Sequence, residues 1–352
     1  MTTLADLLHA RIARTGPITI ADYMAECLLH PQHGYYVTRD PLGAAGDFIT
    51  APEISQMFGE LVGLAMAQAW MDQGRPDPVT LAELGPGRGT LMADILRATK
   101  TVPGFYDAIE IHLIEASPVL RDAQAERIPD PHWHADVTTL PEQPLFLIAN
   151  EFFDALPIRQ FVRDGDGWRE RMVGVSDRAL HMGLSAPAPL ALLEHRVTDT
   201  KDGDLVEICP SLPGIIANIS TRIAQHGGAA LIIDYGDWGS LGDTVQAVSN
   251  HQKVDPLGAP GQADLTAHVD FAEIARHAPP AKFSKLTPQG VFLERLGITQ
   301  RAQSLANALS GDNLHTHVAA HRRLTHPAEM GELFKVMSIH TATAMPPPGL
   351  EP

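Results

Sequence analysis

The sequence predicts an α/β fold: a mainly parallel, Rossmann-like sheet with a helical N-terminal extension and a β-rich insertion. Three observations predict it. Short apolar runs at Val79–Leu84, Leu145–Ala149 and Ala229–Ile233 alternate with helical stretches, as in a parallel sheet covered on both faces. The loop Gly85-Pro86-Gly87-Arg88-Gly89 lies between a strand and a helix. The chain has 352 residues and 44% apolar content, with 29 glycines and 28 prolines. That composition gives a large core and many turns, and no coiled coil or simple bundle.

In chain order, Leu4, Leu7, Leu8 and Ile12 share one helical face. Gly16-Pro17 breaks that helix, and Thr19 is placed to cap a second one. Residues 31–52 read as an ordered loop and 53–72 as a helix. Strand Val79–Leu84, the glycine loop and helix Thr90–Ala98 follow. Ile109, Ile111 and Leu113 alternate with polar residues in a strand ending at Glu115. Ser117 caps the next helix, with Pro118 at its first position. Residues 158–210, with Asp164-Gly165 and Asp166-Gly167, read as hairpins. Residues 237–290 read as a long ordered loop plus a short helix. The expected division is a helical extension and lid over 1–75, a core over 76–157 and 229–352, and the insertion over 158–228.

Lys and Arg total 26 against 42 Asp and Glu, a net charge of −16. Such a surface excludes a phosphate-tracking nucleic-acid binder. Cys27 and Cys209 are too few for a zinc cluster or a disulfide frame. No apolar run reaches the roughly 20 residues of a membrane span. No secretory signal pattern opens the chain, so a reducing, cytoplasmic location is expected, or the mitochondrial matrix if the source is eukaryotic. His132-Trp133-His134 lacks a third ligand at a recognisable spacing, so no metal is assigned.

The chemistry converges on strand ends. Gly85, Gly87 and Gly89 are spaced Gly-x-Gly-x-Gly, unlike the pyrophosphate fingerprint, and Glu83 just before them would repel a phosphate. Glu115 ends the next strand, where a carboxylate accepts ribose hydroxyls. Asp136 follows a third short strand and is placed for an adenine. These features suit a ligand with adenosine and no phosphate, such as S-adenosylmethionine, with Glu83 toward its ammonium. The plain alternative for Glu115 or Asp136 is a solvated loop carboxylate. Asn150 and Glu151 end the fourth strand. Glu151 with Asp154 would hold a guanidinium, unless both simply favour a helix N-terminus.

The segments Gly46 to Glu60, Glu83 to Met92, Ala149 to Ile158, Val254 to Leu257, Ala263 to Phe271 and Met330 to Val336 resemble the MidA-like S-adenosylmethionine-dependent methyltransferases over nearly the whole chain. That family includes a mitochondrial complex I assembly factor. The resemblance implies a class I methyltransferase core. It also implies symmetric ω-dimethylation of an arginine in the 49 kDa-type quinone-site subunit of respiratory complex I. A non-catalytic assembly chaperone and a small-molecule methyltransferase are the alternatives. Asp47, Thr50 and Asn150 join the expected cofactor contacts. Glu53, Glu151, Asp154 and His268 are the expected catalytic groups, with Glu53, Glu151 or His268 taking the proton. Asp264 is expected to cap a turn. A homodimer is the commonest symmetric assembly.

Overall fold

The computed structural model describes residues 2–38 and 49–352. They form two compact units. The larger comprises Ile49–Phe153, Pro213–Trp238 and Phe271–Pro352. Its sheet contains β1 (Val79–Leu84), β2 (Ile109–Ile114), β3 (His132–His134), β4 (Leu145–Asn150), β5 (Gly228–Asp237), β6 (Lys282–Phe283) and β7 (Phe334–His340). Their spatial order is β6-β7-β5-β4-β1-β2-β3. β1 to β5 pair in parallel. β7 runs antiparallel to β5, with Ile233 opposite Val336.

The path from β1 runs outward through β2 and β3, then restarts at β4 on the other side of β1. The carboxyl ends of β1 and β4 therefore flank a topological switch point, where open α/β sheets take their ligands. Every residue of β1 and β4 is buried, which is why both are mostly apolar. Their core joins Leu81, Phe146, Ile148 and Ile233 to Phe58, Met66 and Trp70 of helix α1 (Gln56–Asp72) and to Ile95 of helix α2 (Thr90–Thr99). Gly63 of α1 lets the helices approach closely, since a Cβ there would sit 3.0 Å from the Ile95 backbone.

The second unit comprises residues 2–38 with Asp154–Leu212 and Gly239–Asp270. Strands Arg159–Asp164, Gly167–Ser176, Ala179–Leu184 and Leu205–Ile208 form an antiparallel sheet that Ile18–Thr19 joins. Asp164 pairs with Gly167 across the expected tight turn, in which Gly165 has φ +57°. Helices Leu4–Thr15 and Ile20–Leu29 are closed by capping boxes at Thr3/Asp6 and Thr19/Asp22.

The division differs from the expected one in three places. The N-terminal helices and the β-rich segment are one unit, because Leu8, Ile20 and Met24 bury with Ile158, Val173 and Leu265. Residues 49–75 and the helix from Pro213 belong with the parallel sheet. Residues 239–270 leave the core and are not a plain loop. They form a three-stranded sheet of Gln246–Ser249, Gln252–Val254 and Asp264–Thr266, whose strands are too short to show alternation in sequence.

Candidate active site

The larger unit collects most of the expected ligand-binding residues at the carboxyl ends of β1 to β4. Gly85, Gly87 and Gly89 have φ of +60°, +54° and +77°, the left-handed region that glycine enters without strain. A Cβ on Gly85 would meet Phe152 Cδ2 at 3.0 Å, and one on Gly89 would meet Ile128 Cδ1 at 2.8 Å. The loop thus turns tightly and starts α2, with Gly89 as its N-cap.

Glu83 is 3% exposed, and its Oε2 is buried without a hydrogen bond. Burial pushes its carboxyl up to about 8, with the Glu115 charge adding to the shift and the Met92 amide opposing it. Glu115 is also buried. Burial raises it too, against the Ser117 amide (2.7 Å to Oε1) and the Gln124 side-chain amide (3.2 Å to Oε2).

Gln124 is a residue that sequence reasoning missed. It is fully buried on helix α3 (Pro118–Ala125) and donates to both Gly87 O (2.7 Å) and Glu115. It thereby locks the glycine loop to the β2 end, while Trp133 Nε1 donates to its oxygen (2.8 Å). The available signal was Gln124 four positions after Leu120, on the buried stripe of α3.

Asp136 is exposed beyond the end of β3, where it accepts from the Thr138 amide and hydroxyl. Asn150 Oδ1, at the end of β4, is buried without a partner, while Nδ2 donates to Glu151 Oε1 (3.1 Å). Glu151 has φ +51°, and its Oε1 also accepts the Ala51 amide (2.9 Å). No helix follows Glu151, so the helix-terminus reading of this acidic pair fails.

Thr50 occupies the N-cap position of the short helix Ala51–Ile54, without a side-chain capping hydrogen bond. Glu53 on that helix accepts the Thr90 hydroxyl at the start of α2, and Arg127 donates to the same hydroxyl (3.0 Å). Residues 50–55 therefore tie the β4 end to the glycine-loop helix. Asp47 lies outside the described residues.

Asp154 and His268 fall in the second unit, so Glu151 and Asp154 are divided between the two. The Asp154 carbonyl accepts the Ala267 amide (2.9 Å), and the His268 amide donates to Thr244 Oγ1 (2.9 Å). Asp264 is not a turn cap. It lies buried on a strand and accepts the Tyr36 hydroxyl (2.7 Å), because the residues that read as a loop pair into a sheet. Burial, reinforced by Asp264 and Asp154, raises that tyrosine.

Beyond the site, His112 Nδ1 lies 2.8 Å from His134 Nε2, and its ring stacks on His132. Burial, with repulsion from the other two rings, drops His112 to about 4, so its ring is uncharged near pH 7. Among the described residues no three histidine, cysteine or acidic side chains are placed to hold a metal ion. No helix among them is long and apolar enough to cross a membrane.

A family profile described as "Putative S-adenosyl-L-methionine-dependent methyltransferase" matches residues 61–289. The protein arginine methyltransferase NDUFAF7, mitochondrial, of Xenopus laevis is 38% identical over 96% of this chain and 84% of its own length. The Homo sapiens protein of that name is 38% identical over 94% of this chain and 82% of its own. A COG1565 superfamily structure from Burkholderia thailandensis, bound to S-adenosyl-homocysteine, superposes with a TM-score of 0.83 at 28% identity. It covers 98% of this chain and 94% of that one.

The residues present fit S-adenosylmethionine. Glu83 Oε2 and Asn150 Oδ1 are buried acceptors lacking donors, as an ammonium-bearing ligand requires. Glu115 offers a carboxylate fixed by the Ser117 and Ala116 amides and the Gln124 side chain, and its two oxygens, with about four lone-pair sites between them, keep acceptor capacity for ribose hydroxyls.

Proposed function

The chain belongs to the S-adenosyl-L-methionine-dependent methyltransferase family, and we propose that its acceptor is an arginine side chain of a protein. The observation that carries this reading is the similarity to protein arginine methyltransferases along nearly the full chain. The sheet edge supports it, since the Ala51 amide holds Glu151 and the Thr90 hydroxyl beside the glycine loop holds Glu53.

The bound cofactor supplies a methyl group activated by a sulfonium. Glu83, Glu115, Asn150, Asp136, Thr50 and the three loop glycines would hold it. A guanidinium is protonated at neutral pH and presents a planar fork of donors, so carboxylates orient it best. Glu53 and Glu151, both of the larger unit, take that role in this reading. The attacking nitrogen loses one proton for each methyl it gains, and Glu53 or Glu151 of the larger unit accepts it. Positioning of this kind makes up a large part of the rate.

The finer reading is symmetric ω-dimethylation of the 49 kDa-type quinone-site subunit, in support of complex I assembly. The mitochondrial names of the relatives favour the matrix and give no support to the cytoplasmic expectation. A homodimer completes the reading. The test incubates the protein with methyl-labelled S-adenosylmethionine and that subunit, unfolded or nascent. One arginine should acquire two labelled methyl groups, one on each terminal nitrogen. Label on a small molecule alone would refute the protein acceptor. Complex I assembly that survives Gly87→Val, with cofactor binding lost, would make the protein a chaperone.

A further inference from the structure

We propose that Asp234 is a positioning residue for the methyl-transfer site: it fixes the turn after β4 and, through Phe152, the first glycine of the cofactor loop. Asp234 is wholly buried on β5. Its Oδ2 accepts two consecutive amides, Phe152 (3.2 Å) and Phe153 (3.0 Å), and its Oδ1 accepts the Tyr235 amide (3.0 Å). The preceding amide, Glu151, donates to Ile233 O (2.9 Å). Ile233 and Asp234 of β5 thus take every amide from Glu151 to Phe153, just past the last ladder pair of Ile233 with Asn150.

This grip has two consequences at the sheet edge. It holds Glu151 in the left-handed region, at φ +51°, which a non-glycine residue adopts only when its surroundings impose it. In that conformation Glu151 Oε1 meets the Ala51 and Asn150 donors. It also sets the Phe152 ring against Gly85, so closely that a Cβ on that glycine would lie 3.0 Å from the ring. Both carboxylate oxygens accept amides here, and one of them serves two donors. An asparagine has the same shape but turns an NH2 toward amides on one side.

The inference rests on membership of the methyltransferase family and not on the identity of the acceptor, so its test reads product binding. S-adenosyl-homocysteine is titrated calorimetrically into the wild type, Asp234→Asn, Phe152→Ala and the double variant. Amide exchange is followed at Phe152 and Phe153. The wild type should protect both amides, and Asp234→Asn should lose that protection. Each single variant should weaken product binding at least tenfold per folded molecule. The double variant should be no weaker than the weaker single one, because both act through one contact. A folded Asp234→Asn protein with Kd within twofold of wild type would overturn the proposal, whatever its melting temperature. Should that variant fail to fold, Phe152→Ala and wild-type exchange decide. Unchanged affinity in Phe152→Ala, or unprotected wild-type amides, would overturn it equally.

Discussion

Replacing Glu83 by glutamine should make the protein's stability far less dependent on pH. Burial lifts the Glu83 carboxyl from 4.5 to about 8. The folded state therefore holds the neutral acid where the unfolded chain would ionise it. The sign follows directly: this contribution to stability is complete below pH 4.5 and is lost as pH rises through 8. At about 1.36 kcal/mol per pH unit, the loss amounts to roughly 3 kcal/mol at pH 7 and roughly 5 kcal/mol at pH 9. Glutamine keeps the shape and cannot ionise. Urea denaturation of both proteins at pH 5, 7 and 9 measures the effect, and groups common to both proteins largely cancel in the difference. The advantage of Glu83→Gln over wild type should grow by about 4 kcal/mol from pH 5 to pH 9. A difference that stays within 1 kcal/mol over that range would refute the argument from burial.

Three further outcomes follow from the same edge and its supports. Glu115→Ala should weaken S-adenosyl-homocysteine binding at least tenfold, about 1.4 kcal/mol, in a calorimetric titration, by removing the acceptor for the ribose hydroxyls. Gly89→Ala should cost about 1–3 kcal/mol in thermal denaturation, since φ is +77° and the added carbon would press on Ile128. Glu60, buried on α1, accepts Arg97 and Arg301 at 2.7 and 2.8 Å. Glu60→Ala should cost about 1–2 kcal/mol by urea denaturation, because both guanidiniums are partly solvated and lose only a fraction of a buried pair's worth.

What the sequence made legible is what local pattern encodes. β1 ends where its apolar run ends, and the glycine loop and the Asp164 turn follow from conformational demands of single residues, whereas Ser117 takes the N-cap position without a side-chain capping hydrogen bond. Glu83 and Glu115 were visible because each closes a strand. Asp234 follows an apolar run too, yet its role depends on two amides some eighty positions earlier, brought alongside by the parallel pairing of β4 and β5. Gln124 was hidden for a related reason: a polar residue on a short helix looks solvated until Gly87 and Glu115 fold against it. The unit boundaries were hidden because Ile18–Thr19 pairs with residues far along the chain. Asp264 shows the reverse error, in which a turn-forming residue type was read locally while tertiary pairing drew it into a strand.

The charge at the cofactor edge must also be reread. In sequence, Glu83 is a negative group whose repulsion helps to exclude a phosphate. In the fold it is buried and, with its carboxyl near 8, mostly neutral at pH 7. Its repulsion of a phosphate is then weak, and the exclusion of a pyrophosphate falls to the spacing of the glycines. What Glu83 offers instead is conditional charge. A cation placed beside it would favour the carboxylate and draw it down, with release of a proton, whereas a neutral or anionic ligand would not. Of the chain's 42 acidic residues, those at this edge therefore divide by burial. Glu83 and Glu115 are raised by their surroundings and suit a ligand that enters the sheet edge. Glu53, half-buried on residues 50–55 and held by a hydroxyl, suits a cationic side chain arriving from solvent.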